Sequence, residues 1–315
     1  MAVAHPIPTA PTRPIERFTL QGPDGVAIAA YRALPEADIR GVVQIAHGMA
    51  EHFGRYHRLA GRLTRAGYAV YANDHRGHGG SADAHGLGQF GPAGFAALVG
   101  DVAALTQVAK REAPGQPLVL LGHSMGSFAA QLYLLDHHRE LAGLVLSGTA
   151  ALDKLLENML ASGRPVGLES LNAGFEPART PFDWLTRDAA EVDAYVDDPL
   201  CGFALDGQAM GSIFALGSGA RTDARLAGVR GDLPIYVISG EHDPVTGPGQ
   251  AFVEALIGGY QDHGLSNIEH RIYPEGRHEM FNETCRDQVE SELIVWLNAV
   301  TAPEAANARG LPDAR

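Results

Sequence analysis

The stretch Pro117-Leu118-Val119-Leu120-Leu121-Gly122-His123-Ser124-Met125-Gly126 decides the fold. Its first half is an unbroken apolar run, the composition of a strand buried on both faces of a parallel sheet. The run leads straight into Gly-x-Ser-x-Gly, the pattern of a nucleophile elbow, in which a serine sits on a strained strand-to-helix corner with its hydroxyl exposed. Small residues there leave room for the tight backbone and for the helix behind it. That helix is foreseen, because Phe128, Leu132 and Leu135 recur at helical spacing after Ser127. A chain with 38 glycines can also produce such a pentapeptide in an ordinary turn. The strand before and the helix after favour the elbow, with Ser124 as nucleophile and the Met125 N–H as a donor to the oxyanion.

Outward from this point, Val-, Ile- and Leu-rich runs at 17–21, 26–32, 41–46, 68–73, 117–121, 143–147, 233–239 and 267–273 read as strands. Helical patterns at 56–65, 93–111, 125–138, 249–257 and 286–300 lie between or after them. The alternation predicts an α/β fold with a mostly parallel central sheet flanked by helices. It breaks after Ser147, and 150–232 reads as an inserted helical cap. The organisation expected is a core in two parts, 16–149 and 233–300, with that cap between them and flexible ends at 1–15 and 301–315. In the cap, Leu152, Leu155, Leu156, Met159 and Leu160 share one helix face opposite Asp153, Lys154, Glu157 and Asn158. Such a stripe packs on a core or serves as a lid that lines a substrate entrance and touches lipid aggregates.

Charge and composition narrow the function. A formal net charge of -13 argues against a nucleic-acid partner, which needs a basic surface, and against stable anchoring on an anionic membrane. No apolar run approaches a membrane span, and 1–16 lacks the apolar centre of a signal peptide, so a cytoplasmic location is expected. Cys201 and Cys285, the only cysteines, give neither a disulfide framework nor a zinc motif. Lysine occurs only at Lys110 and Lys154 in an alanine- and glycine-rich chain, which hints at a GC-rich bacterial gene.

A serine hydroxyl needs an imidazole to take its proton and a carboxylate to hold that imidazole in the correct tautomer. In an elbow fold these follow in the order acid, then histidine. Asp243 stands after the strand at 233–239, with Glu241 as a weak substitute and Asp232 at the wrong strand end. His278 follows the last strand, whereas His263 precedes that strand and His270 lies within it. A second oxyanion donor is expected from His47-Gly48-Met49-Ala50-Glu51-His52, where Gly48 lets the backbone turn in and Met49 offers its N–H. The segment Asp74-His75-Arg76-Gly77-His78-Gly79-Gly80 lacks metal-ligand spacing and reads as a close-packed loop. No phosphate-binding motif is present, and the chemistry calls for no metal or organic cofactor.

Together His47-Gly48 with Glu51-His52 and Arg55-Tyr56, Asp74-His75-Arg76-Gly77-His78-Gly79 with Ser81, the elbow, Asp198-Pro199-Leu200-Cys201, Gly240-Glu241-His242-Asp243-Pro244-Val245, and His278-Glu279 with Asn282-Glu283 carry a resemblance. Over about 41–297 the chain resembles the monoacylglycerol lipase and lysophospholipase-like branch of the α/β-hydrolases, grouped with serine aminopeptidase-type (S33) hydrolases. The resemblance implies Ser124, Asp243 and His278 as triad, Met49 and Met125 as oxyanion donors, and a cap over an apolar acyl pocket. Where that family often has a small residue and glycine, this chain has Met49 and Ala50, which are expected to narrow the pocket near the scissile bond. Gly48, His123, Leu152, Leu156 and Met159 are the expected substrate contacts.

The function expected is a serine carboxylic ester hydrolase acting on small to medium-chain monoesters such as monoacylglycerols through an acyl-enzyme. Lysophospholipids are one alternative substrate. Monoalkyl esters of dicarboxylic or aromatic acids are another, through pairing of Arg164, Arg179 or Arg187 with a substrate carboxylate. Aminopeptidase activity would call on a cap carboxylate such as Glu157, Glu176 or Glu191. From another class stands a ligand-binding protein of the same fold without turnover.

Overall fold

The computed structural model describes residues 13–302 apart from 162 and 164–166. Its strands are β1 (Glu16–Gln21), β2 (Ala27–Ala33), β3 (Gly41–Ala46), β4 (Tyr68–Asn73), β5 (Leu118–His123), β6 (Gly143–Ser147), β7 (Ile235–Gly240) and β8 (Ile268–Tyr273). The helices are α1 (His57–Arg65), α2 (Gly94–Glu112), α3 (Met125–His137), α4 (Leu152–Ala161), α5 (Ala189–Asp197), α6 (Gly207–Gly217), α7 (Ala251–Asp262) and α8 (Arg286–Val300). All eight strands join one sheet in the order β1-β2-β4-β3-β5-β6-β7-β8. Strand β2 runs antiparallel to both its neighbours, and every pairing from β4 to β8 is parallel.

The apolar run of β5 is explained by burial on both faces. Leu118 and Leu120 join a core with residues of α2, α3 and α7, whereas Val119 and Leu121 join a second core with α1 and α8. A strand with a polar face would leave one of these helix layers unpacked. Helix α7 continues through Gly258-Gly259 beyond its expected end at 257, because Val253, Leu256 and Tyr260 extend one buried face. Between β6 and β7 the described residues form no strand, only α4, α5, α6 and short 3-10 turns. This is the α/β-hydrolase fold.

Most of the two ends expected to be flexible lies outside the described residues. Of the C-terminal one, Thr301 is buried, with its hydroxyl donating to Leu297 O at 2.8 Å and meeting the Tyr68 hydroxyl at 3.0 Å. No described helix is long and apolar enough to cross a membrane. The loops after β3, β5, β7 and β8 leave the sheet at its carboxyl edge, where open α/β sheets place their ligand crevice.

Candidate active site

Ser124 adopts φ 51°, ψ −121°, a conformation that L-residues rarely hold and that persists only where the surroundings over-determine it. Here the Ser124 N–H donates to Ser147 O on β6 at 2.9 Å, and the Ser127 hydroxyl donates to Ser124 O at 2.6 Å. Close approach fixes the flanking glycines. A Cβ on Gly122 would stand 2.5 Å from Gly126 O, and one on Gly126 would stand 2.1 Å from Ala46 O. With both positions bare, α3 packs directly against the ends of β3 and β5, and Ser124 is left partly exposed at the corner.

Asp243 and His278 come together across 35 residues of sequence, with His278 Nδ1 at 2.9 Å from each Asp243 carboxylate oxygen. The carboxylate is itself oriented by the Val245 N–H, which donates to Oδ1 at 2.9 Å. Among the described residues His278 Nε2 is buried and has no hydrogen-bond partner. Burial opposes protonation of this ring, but the facing charge and hydrogen bond of Asp243 prevail and lift its pKa above the usual imidazole value. The ring lies between His123 and Trp184, at centroid distances of 4.7 Å to each. Neither competing acid pairs with His278, and neither competing histidine pairs with Asp243. Glu241 accepts from the Glu275 N–H, Asp232 pairs with Arg230, His263 meets Gly259 O and His270 meets the Ser239 hydroxyl.

The loop after β3 is held on both sides of Met49. The Gly48 N–H donates to Glu51 Oε1, and the Ala50 N–H donates to His78 Nε2 at 3.0 Å. Ala50 has φ 53°, and its carbonyl accepts from the Gly202 N–H at 3.0 Å and the Tyr195 hydroxyl at 2.9 Å. Of these successive amides, only that of Met49 has no acceptor among the described residues, and the same holds for the Met125 amide at the start of α3. A Cβ on Gly48 would lie 3.2 Å from Ser124 Cβ, so this loop lies against the elbow.

Behind the loop His47, His75 and His78 form a buried cluster. His47 Nε2 accepts from the His75 N–H at 2.9 Å, while His47 Nδ1 faces Gly48 O and His78 Nδ1 faces Arg76 O. Burial pushes His47 and His78 down to about 3 and His75 well below the ordinary value. Each therefore stays neutral in one tautomer, with Nε2 of His47 and of His78 as an acceptor for a backbone N–H. Replacing His78 by leucine is expected to leave the Ala50 N–H buried without an acceptor and to cost about 1–3 kcal/mol in urea unfolding. His78→Gln, which can restore an acceptor, should recover part of it; equal losses in both variants would remove the hydrogen bond as the cause. Beside this cluster Glu51 accepts from the Tyr56 hydroxyl at 2.7 Å, and Arg55 lies between Glu51 and Glu279 with its guanidinium 4.9 Å from the Tyr195 ring centroid. Burial, reinforced by Glu279, raises the Glu51 pKa well above the usual carboxylate range.

An apolar cavity of about 60 Å³ opens at Ser124, bounded by Met49, Met125, Phe128, Leu152, Leu155 and Met159 among others. Three expected contacts do not line it. Leu156 is displaced by Leu155, because α4 presents positions 152, 155 and 159 inward at helical spacing. His123 is buried against His278 and Tyr56, and Gly48 is covered by Glu51, His123 and Ser124. Leu160 faces outward at 66% exposure rather than joining the packed stripe. Arg187 pairs with Glu283 at 2.9 Å and Arg179 pairs with Asp193, while Arg164 lies outside the described residues. Trp184, Tyr195 and His78 went unrecognised in the sequence; the only signals were the rarity of tryptophan and the tight glycine loop around His78. His52, Asp198 and Cys201 bring three metal-ligand types within 4.8 Å. Yet His52 Nδ1 accepts from the Gly54 N–H, which leaves the proton on Nε2 facing Asp198 at 2.8 Å and opposes a metal there.

A family model described as serine aminopeptidase, S33 (Hydrolase_4), matches residues 37–285. A monoacylglycerol lipase of Mycolicibacterium smegmatis is 33% identical over 283 residues, covering 88% of this chain and 94% of that protein. Human monoglyceride lipase is 27% identical over 278 residues, covering 85% of this chain and 86% of that protein. Among solved structures, a thermostable carboxyl esterase from Bacillus coagulans in complex with glycerol superposes with a TM-score of 0.80 at 28% identity, covering 92% of this chain and all of that one.

Proposed function

The chain belongs to the serine aminopeptidase, S33 (Hydrolase_4) family, and from that premise we propose how it acts and on what. It is a serine ester hydrolase of the monoacylglycerol lipase type. Ser124 attacks the ester carbonyl, and His278 Nε2 takes the hydroxyl proton and passes it to the departing alcohol. Asp243 holds the imidazole and stabilises its charged form, while the amides of Met49 and Met125 receive the oxyanion. Water then repeats the sequence on the acyl-enzyme. One observation carries this reading: His278 Nδ1 is clasped by both Asp243 oxygens while its buried Nε2 has no partner among the described residues, in a fold that holds Ser124 on a strained elbow.

Neutral monoesters of small to medium chain length, monoacylglycerols among them, suit the apolar lining at Ser124. The pairing of Arg179 and Arg187 with protein carboxylates weighs against recognition of a diacid. Residues 150–232 serve as the cap, and the exposed Leu160 and Leu216 are where it meets a lipid aggregate. The test is a panel of p-nitrophenyl esters, monoacylglycerols, lysophospholipids, monoalkyl diacid esters and amino-acid amides. Turnover of the neutral monoesters and not of the amides is expected. Best turnover of diacid esters or amides would replace the substrate assignment, and stoichiometric capture without product would replace the enzyme by a binder.

The pH dependence follows from Asp243. Because only neutral His278 takes a proton, kcat/KM rises with pH through its pKa, and that limb is expected above 6.5. A profile from pH 5 to 9 with its limb at or below 6.5 would contradict the coupling to Asp243.

A further inference from the structure

The cavity at Ser124 has a neighbour. A second space of about 530 Å³ lies beside it, bordered by Glu169, Ser170, Phe182 and Phe203 among others. Met49, Leu168 and Met210, with the bare backbone of Gly167, line both spaces. These three side chains come from distant parts of the chain: Met49 from the loop after β3, Leu168 from the turn after α4, and Met210 from α6. None is fully buried, and all are apolar. The inner space measures about 60 Å³ against about 530 Å³ for the outer one. A short acyl group on Ser124 is accommodated in the inner space, and a longer one must cross the line of Met49, Leu168 and Met210.

We infer that Met49, Leu168 and Met210 form a gate between the two chambers and set the acyl-chain length the enzyme accepts. This rests on the ester-hydrolase reading above. Methionine suits the task, since its unbranched thioether adapts to irregular gaps and presents no polar atom that a passing chain would strip of a partner. Met49 has two roles in this arrangement, its amide serving the oxyanion and its residue position bordering both chambers.

The test measures kcat/KM on p-nitrophenyl acetate, butyrate, hexanoate, octanoate and decanoate, each below its critical micelle concentration, for the wild type, Met49→Ala and Met210→Ala. In the wild type a maximum at butyrate or hexanoate is expected, with decanoate at least tenfold lower. Each substitution should raise the decanoate-to-butyrate ratio at least tenfold, whatever it does to the absolute rate. Met210→Ala acts from α6 and separates the gate from any disturbance of the oxyanion loop. A wild-type profile flat from butyrate to decanoate, or a ratio unchanged in both variants, would overturn the gate. So would a change that appears only when the alcohol is varied on a fixed butyryl group. Total inactivity on all five esters would overturn the ester-hydrolase reading itself, and is distinguishable from a flat profile.

Discussion

Ser124→Ala is expected to lower kcat on a short-chain ester by roughly a million-fold, the size of loss seen when the nucleophile is removed from a triad that works as a unit. The substitution deletes one oxygen and leaves the elbow intact, since alanine is no larger and the corner is held by backbone bonds to Ser147 and by the Ser127 hydroxyl. Circular dichroism should show an unchanged fold. Asp243→Asn should cost about 10⁴-fold, because an amide in place of the carboxylate favours the wrong imidazole tautomer. Retention of more than about one per cent of activity by Ser124→Ala, in folded protein freed of wild-type contaminant, would remove this serine as the nucleophile. Similar rates for Asp243→Asn and the wild type would return the acid to its neighbours.

Acid should unfold the protein over a narrow range well below the pKa of a free imidazole. His47 and His78 are held neutral down to about 3, whereas in the unfolded chain each takes a proton near 6.5. The stability they contribute is therefore complete above 6.5 and is lost as pH falls, reaching about 5 kcal/mol each by pH 3. Glu290, pushed up to about 7 chiefly by burial, works the other way: it gains about 3 kcal/mol as pH falls from 7 to 4.5, and Glu51 moves in the same sense. Glu290 and Glu51 thus offset part of the histidine loss down to about pH 4.5; below that, the loss at the histidines, His75 and His123 among them, is joined by that of carboxylates held low by arginines, such as Asp24 beside Arg76. A domain has about 5–15 kcal/mol in total, so a midpoint between about pH 3 and 4.5 is expected in a fluorescence titration. Protonation at His78 Nε2 also sets a new N–H against the Ala50 N–H, so the loop after β3 should be disturbed with the same transition. A midpoint near pH 6, or a native spectrum at pH 2.5, would contradict this account.

Both predictions depend on residues whose legibility differs. Ser124 was readable from five consecutive positions, because an elbow is a local device in which strand, glycine, serine and helix follow one another along the chain. Asp243 and His278 were readable as the ends of strands, since an ordered α/β sheet brings its carboxyl edge to one side; only their mutual distance needed the fold. The side of α4 that lines the cavity at Ser124 was legible as a stripe, yet helical spacing alone does not say which of Leu155 and Leu156 turns inward, and it is Leu155. Trp184 and Tyr195 carried no such local mark, and His78 only its place in a glycine-rich loop. Their roles come from packing against residues 28, 94 and 145 positions away along the chain: His78 on Ala50, Trp184 on His278 and Tyr195 on the Ala50 carbonyl.

Periodicity and motif spacing by themselves determined the strand and helix succession, the parallel sheet and the serine at its elbow, because each follows from bonding and burial among neighbours in sequence. Tertiary structure alone decided which amide of the loop after β3 has no acceptor among the described residues, which histidines stay neutral, and that Met49, Leu168 and Met210 line two neighbouring spaces. Those outcomes depend on desolvation and on close contacts between segments far apart in the chain, and no local pattern of residues encodes either.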